Sequence, residues 1–155
     1  MSTGEITAPR KSSQHELKLQ IYLVTLFRRH VRPWDAILAM IANGGYRTPE
    51  TTDLLNRMGL VRGVPDLVLL THRARCRWIE VKLARTLHHD RTTLSEEQAE
   101  LHDTLAWMDH KVDVVRSVRE FWDVVEDEQI PHTMVDFPEQ TVFDFRRRRG
   151  RSAAA

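Results

Sequence analysis

The chain has 155 residues, of which 23 are Lys or Arg, 22 are Asp or Glu and one is Cys, a size that suits a single globular domain. The single cysteine excludes an internal disulfide framework, so we expect a reducing compartment such as the cytoplasm. No apolar run approaches the roughly 20 residues that a membrane helix needs, and the first residues lack the charged-then-apolar order of a signal peptide, so we expect no membrane partner.

The pattern of apolar and polar residues predicts helices and strands that alternate along the chain. Helices follow from apolar positions three or four apart, and strands from short apolar runs between turn residues. In chain order the predicted elements are a helix over 14–31, a buried strand over 37–42, a helix over 49–58, a hairpin of strands over 64–70 and 77–81, a helix from 96 to about 109, a strand over 112–115 and a last helix capped by Ser117. This order predicts an α/β fold with a small mixed central sheet flanked by helices.

Two of the predicted helices begin with a capping box, in which a Ser side chain and a residue three positions later satisfy each other's backbone amides. Ser13 and Glu16 form this pattern at the first helix, and Ser95 and Gln98 form it at the third. On the local sequence alone, capping is a complete explanation for both Glu16 and Gln98.

The two ends of the chain differ from its middle. Residues 1–12 lack periodic apolar positions, and we expect a flexible arm there. A folded domain is predicted over 13–126, followed by an irregular extension over 127–155. The extension ends in five arginines, and without them the chain has 18 basic against 22 acidic residues, although its net charge is +1. Such a run either binds phosphate groups or is a solvated end. These residues are Arg146, Arg147, Arg148, Arg149 and Arg151.

The predicted hairpin brings two carboxylates together. Because alternate residues of a strand share a face, Glu80 and Lys82 point one way while Ile79 and Val81 point toward the core. A turn centred near Arg73 sets Asp66 opposite Glu80 in an antiparallel pair. Directly opposed residues have Cβ atoms about 5 Å apart, which lets two carboxylates share a divalent cation.

Such an acid pair fits metal-assisted hydrolysis. Mg²⁺ demands an octahedron of oxygens, which Asp66, Glu80, the Val81 carbonyl, water and a substrate phosphate would complete. Lys82 is placed to orient water or to offset negative charge, and Glu16 would add a third carboxylate if its helix packs beside the sheet. The alternative is that Asp66 begins a turn and that Glu80 and Lys82 are ordinary solvated charges.

The order of short motifs along the chain resembles the VRR-NUC branch of the PD-(D/E)xK nuclease superfamily. The resemblance covers about residues 13–126 and implies a restriction-endonuclease-like core with Mg²⁺- or Mn²⁺-dependent phosphodiester hydrolysis. It also implies that Asp66 and Glu80 bind the metal, that Lys82 is the motif lysine, and that Glu16 and Gln98 belong to the catalytic set. The motifs are Glu16, Asn43-Gly44-Gly45, Gly63-Val64-Pro65-Asp66-Leu67, Glu80-Val81-Lys82, Leu94-Ser95 with Gln98, and Val114-Val115-Arg116-Ser117.

Stand-alone members of this branch, often phage-encoded, look like Holliday-junction resolvases that act as homodimers. The resemblance therefore implies a structure-specific endonuclease for branched DNA, in the cytoplasm of a bacterium or of a phage-infected host cell. The alternatives are a monomeric flap or nicking endonuclease and a non-catalytic DNA-binding accessory module. Arg73 and Arg75 in the hairpin turn, together with the arginine tail, are the candidate DNA-binding residues.

Overall fold

The computed structural model describes residues 11–42, 48–84 and 93–133. Residues 1–10 of the predicted arm, the Asn43-Gly44-Gly45 motif and the arginines from Arg146 onward lie outside the described residues. In chain order the elements are α1 (Lys11–His30), β1 (Ala36–Met40), α2 (Pro49–Arg57), β2 (Leu67–Thr71), β3 (Cys76–Val81), α3 (Glu96–Trp107), β4 (Lys111–Val115) and α4 (Val118–Asp127). Their order and types match those predicted from the sequence, so the α/β architecture is confirmed.

The four strands form one mixed sheet in the order β1-β2-β3-β4. β1 and β2 pair antiparallel, as do β2 and β3, whereas β4 joins β3 in parallel because α3 provides the crossover between them. In the β2–β3 hairpin, Leu67 pairs with Ile79 and Leu69 with Arg77. This is the register that a turn centred on Arg73 predicts.

Helices α1 and α4 cover one face of the sheet. On each helix the apolar residues that face the sheet recur three or four positions apart and are almost fully buried, as are the strand residues that face them. Phe27 of α1 meets Phe121 of α4 edge to face, with ring centroids 6.3 Å apart. The buried residues of this core include Leu19, Leu23, Leu38, Leu69, Ile79, Val81, Val115, Trp122 and Val125.

Helix α3 lies over the opposite face, which carries Trp78 and Glu80. A side chain of α3 bonds to Glu80, and His110, just beyond the helix, meets the Trp78 ring edge to face. The prediction that the first strand is buried holds for one face only: Ala36 and Leu38 lie in the core, but β1 is an edge strand of this sheet. Ile37 and Met40 are more than half exposed, and among the described elements no helix covers them.

The start of α1 corrects a second prediction. Lys11 is already helical, so Ser13 lies within α1 and is not the residue that caps it. Capping is therefore not the role of Glu16. At the other end of the domain, Ile130 is buried and His132 forms a β-bridge with Val31, so the chain beyond α4 packs against the core. No helix among the described residues is long and apolar enough to cross a membrane.

Candidate active site

Asp66 and Glu80 meet at the end of the β2–β3 hairpin that lies away from its turn. The register, continued one residue past the start of β2, sets Asp66 opposite Glu80. Asp66 Oδ2 accepts a hydrogen bond of 2.9 Å from the backbone amide of Val81, and its own carbonyl accepts from the amide of Ile41 at 2.9 Å. Asp66 is thus fixed to both neighbouring strands.

Glu80 is the most deeply buried acid of the site, with 1% of its surface exposed. Its Oε1 accepts a hydrogen bond of 2.5 Å from Gln98 Nε2 and lies 2.9 Å from the ammonium nitrogen of Lys82. Its Oε2 is buried and has no hydrogen-bond partner among the described residues. A buried carboxylate oxygen without a partner is costly unless a ligand satisfies it.

The electrostatics of the pair reflect this burial. Loss of solvent, followed by the repulsion of Asp66, raises the pKa of Glu80 to about 7, although Lys82 and Gln98 act in the opposite direction. Burial also raises the pKa of Asp66, while the Val81 amide and Lys82 lower it. Two acids that both resist ionisation in the free protein are a suitable place for a cation, which would remove the repulsion.

Gln98 bridges the start of α3 and the acid pair. Its side-chain oxygen accepts from the amide of Ser95 at 3.0 Å, while the Ser95 hydroxyl accepts from the Gln98 amide at 3.2 Å, so the predicted capping box is confirmed. The amide nitrogen at the other side of the same group donates to Glu80. One side chain therefore caps the helix and contacts the site.

Gly63 allows α3 to approach the loop that carries Asp66. Its φ is +79°, a conformation that other residues rarely adopt. A Cβ at this position would lie 2.3 Å from the carbonyl oxygen of Glu97 and 2.9 Å from the amide nitrogen of Gln98. The glycine is therefore required by both its backbone conformation and its contact with the first turn of α3.

Glu16 reaches the same region from α1. Burial raises the pKa of its carboxyl, the charge of Lys82 lowers it, Asp66 raises it, and a hydrogen bond with the backbone of Leu83 lowers it. The hydrogen bond with Leu83 places Glu16 beside the end of β3. There its carboxyl interacts electrostatically with both Asp66 and Lys82. The structure thus brings together all five candidate catalytic residues, which are Glu16, Asp66, Glu80, Lys82 and Gln98.

His102 is a residue that the sequence analysis missed. It lies one helical turn after Gln98 on α3, is 8% exposed, and is the one buried residue of that helix. Burial lowers the pKa of His102, Lys82 lowers it further, and Asp103 and Asp66 raise it. The available signal was the spacing of four from Gln98, which puts both side chains on one helix face.

Arg73 and Arg75 lie at the other end of the hairpin. Arg73 donates to the side chain of Gln129 at 2.8 Å, and Arg75 contacts both the carboxylate and the carbonyl of Glu128 at 2.8 Å. Both arginines are therefore bonded to the end of α4 and stand apart from the acid pair. Their assignment to DNA stays a prediction.

The donor set fits a hard divalent cation. Within the described ranges no group of three or more His, Cys, Asp or Glu side chains is arranged to hold a metal ion by itself. Asp66 and Glu80 supply two carboxylates. The carbonyl of Val81, the residue after Glu80, is a candidate third oxygen ligand. Mg²⁺ commonly keeps several waters and binds one or two carboxylates together with substrate phosphate oxygens, so a pair of acids is a sufficient protein contribution.

Comparison with known proteins identifies the fold. No family model matches the chain, and no curated protein matches it. A solved structure named "VRR_NUC domain protein" has a TM-score of 0.52 and 16% sequence identity, with 81% of this chain and 93% of that chain covered. A second, named "VRR_NUC domain", has a TM-score of 0.47 and 20% identity, covering 72% and 94%. At the level of the fold, the resemblance seen in the sequence is confirmed.

Proposed function

We propose that this chain, which has the fold of a VRR_NUC domain protein, is a metal-dependent endonuclease that hydrolyses phosphodiester bonds in DNA. The observation that carries the proposal is the pairing of Asp66 with Glu80 across the hairpin, with one oxygen of Glu80 buried and unpartnered among the described residues. A buried acid pair destabilises a fold, so its presence indicates a function that requires it. Two adjacent carboxylates are the ligands expected of a Mg²⁺ or Mn²⁺ site.

Asp66, Glu80 and the Val81 carbonyl would hold the cation, with Glu16 as a nearby additional carboxylate. When bound, a divalent cation polarises the phosphoryl group and lowers the pKa of water, which supplies the nucleophile. The Val81 amide fixes the orientation of Asp66, and Gln98 fixes that of Glu80. Lys82, with 12% of its side chain exposed, supplies the positive charge that offsets charge developing on the phosphate.

For the preferred substrate, we propose branched DNA that a homodimer cuts. The order of motifs resembles that of the stand-alone VRR-NUC proteins, which look like Holliday-junction resolvases. A four-way junction has two symmetric strands to cut, and a two-fold dimer presents two sites. The run of arginines in the tail favours a polyanionic partner such as DNA, since an arginine that contacts a phosphate neutralises its charge.

The decisive experiment is a cleavage panel of labelled four-way junction, flap, splayed arm and linear duplex, with Mg²⁺, with Mn²⁺ and with EDTA. We expect cleavage of the four-way junction that requires metal and exceeds cleavage of the linear duplex. Equal cutting of all four substrates would contradict the preference for branched DNA, and a monomeric mass in solution would favour a flap or nicking enzyme.

Matched variants separate chemistry from binding. Asp66→Asn and Lys82→Ala should abolish cleavage while leaving affinity for the junction unchanged. Asp123→Asn, on the exposed face of α4 and paired with Arg119, is the control and should cleave normally. If cleavage survives in the Asp66 variant, or if Mg²⁺ stabilises that variant as much as the wild type, the acid pair is not the metal site and the accessory-module alternative gains support.

A further inference from the structure

His102 is a buried polar residue whose contacts within the protein do not explain it. With 8% of its surface exposed, its Nε2 is buried and has no hydrogen-bond partner among the described residues. A buried nitrogen in that state is destabilising relative to one that is hydrogen-bonded. Such a group in a folded protein indicates either a structural defect or a function that uses the free atom.

The placement of His102 favours a function. It shares one face of α3 with Gln98, four residues earlier, and Gln98 donates directly to Glu80. That face lies over the side of the sheet on which Glu80 and Lys82 point. His102 is therefore held against the candidate site by the same helix that buries Glu80.

Lys82 is the charged group that acts most strongly on His102. Burial is the largest influence on the His102 pKa and lowers it, and the lysine comes second, ahead of the adjacent residue Asp103. The ring is consequently neutral near pH 7, so one of its nitrogens is an acceptor. An ammonium group has three donors, of which Lys82 uses one on Glu80 Oε1 at 2.9 Å.

We propose that His102 is a positioning residue for Lys82, whose ammonium donates a hydrogen bond to His102 Nε2 when the Glu80 carboxylate is engaged by a divalent cation. This inference rests on the proposed function, because it needs a cation at Asp66 and Glu80. In the free protein the Lys82 ammonium lies 2.9 Å from Glu80 Oε1. With a cation bound, Glu80 would no longer need the ammonium as its counter-charge. His102 Nε2, which has no partner among the described residues, would then offer Lys82 an acceptor inside the site.

A role for His102 in holding Lys82 explains why the protein retains a destabilising buried group. A buried histidine that served packing alone would gain stability on replacement by an apolar side chain, at no cost to function. His102→Leu should therefore raise the thermal midpoint of the metal-free protein and lower kcat by about tenfold or more, the size expected for the removal of one hydrogen bond to a charged group. His102→Gln, which keeps an acceptor oxygen, should recover part of kcat.

The direct test is nuclear magnetic resonance of protein labelled with ¹⁵N in its histidines, titrated with Mg²⁺ in the absence of DNA. The His102 signals are identified by their disappearance in His102→Gln. We expect Mg²⁺ to shift the His102 Nε2 resonance in the wild type and not in Lys82→Met. His110, which is exposed and packs on Trp78, is the internal control and should not shift.

The outcomes separate this inference from the proposed function. If Mg²⁺ stabilises the protein through Asp66 and Glu80 but the Nε2 resonance stays fixed or shifts equally in Lys82→Met, the role of His102 is refuted while the metal site stands. If Mg²⁺ has no effect on the stability of the wild type, both proposals fail. A His102→Leu variant that cleaves at the rate of the His110→Leu control would also overturn the inference.

Discussion

Gly63 and Glu97 lie so close together that a Cβ built on the glycine would be 2.3 Å from the Glu97 carbonyl oxygen. The contact joins the loop that leads into Asp66 to the first turn of α3. Gln98, the next residue of that turn, donates to Glu80. The spacing between the two acids and the helix above them therefore depends on one missing methyl group.

We predict that Gly63→Ala displaces the start of α3 and abolishes cleavage. Gly59→Ala is a matched control, because Gly59 also has a positive φ, +94°, but a Cβ there meets no atom of the described residues within 4 Å. Both substitutions should lower the free energy of unfolding through backbone strain, by about 1–3 kcal/mol. Cleavage should survive in the folded Gly59 variant alone, and equal loss of cleavage in both would show that the close approach is not essential.

Gln98 has two roles, capping α3 and contacting Glu80, and a single substitution can remove the second while keeping the first. A glutamate at position 98 can still accept from the Ser95 amide, as in the common form of the capping box. It cannot donate to Glu80 and would add a negative charge beside it. We therefore expect Gln98→Glu to retain the helix content seen by circular dichroism but to lose cleavage, whereas Ser95→Ala should lose about 1 kcal/mol of stability and keep cleavage.

Stability of the metal-free protein should fall as the pH rises toward neutrality. Burial and Asp66 raise the pKa of Glu80 from 4.5 to about 7, so the folded state holds a proton that the unfolded chain releases. This stabilisation is complete below pH 4.5 and is lost as the pH rises through about 7, a change of about 3 kcal/mol. The free energy of unfolding, measured by denaturation in EDTA, should fall across this pH range in the wild type and fall less in Glu80→Gln. An equal fall in both proteins would contradict the prediction.

Arg77 should matter for stability and not for cutting. Its side chain is 10% exposed, bonds to Asp113 at 2.7 and 3.0 Å and to Glu128 at 2.9 Å, and also contacts Asp127. Replacing it with Met leaves Glu128, which is 3% exposed, without its buried partner, so we expect a loss of about 3–5 kcal/mol of stability. Arg119→Ala, at an exposed pair on α4, should change the unfolding free energy little.

The arginine tail is expected to bind phosphate. Deleting residues 146–155 should weaken junction binding and reduce the dependence of log affinity on log salt by about one unit of slope for each phosphate that is no longer neutralised. Binding is measured by fluorescence anisotropy between low and physiological salt. An unchanged affinity and slope would identify the tail as a solvated end.

Local signals in the sequence were sufficient for much of the fold and part of the site. Turn residues on both sides of Arg73 fixed the hairpin register and hence the meeting of Asp66 with Glu80. The Ser95 and Gln98 pair fixed the start of α3. Both features depend on residues close together in the chain, where hydrogen-bonding geometry allows few alternatives.

Features set by tertiary packing were not predictable in the same way. Glu16 resembled a helix cap because a Ser precedes it by three residues, yet α1 begins earlier and carries Glu16 to the end of β3. A strand as apolar as β1 is expected to be buried until its edge position is known. His102 gained significance only once α3 was known to lie over Glu80.

Helix α3, which contacts Glu80 through Gln98, leads to an expectation about the order of folding. The β2–β3 hairpin is local in sequence and can bring Asp66 beside Glu80 while both carboxylates are still hydrated. α3 and β4 come from farther along the chain, so we expect them to pack over Glu80 after the hairpin has formed. We therefore expect repulsion between the acids to develop late in folding, so that a cation that relieves it slows unfolding while hardly changing the folding rate.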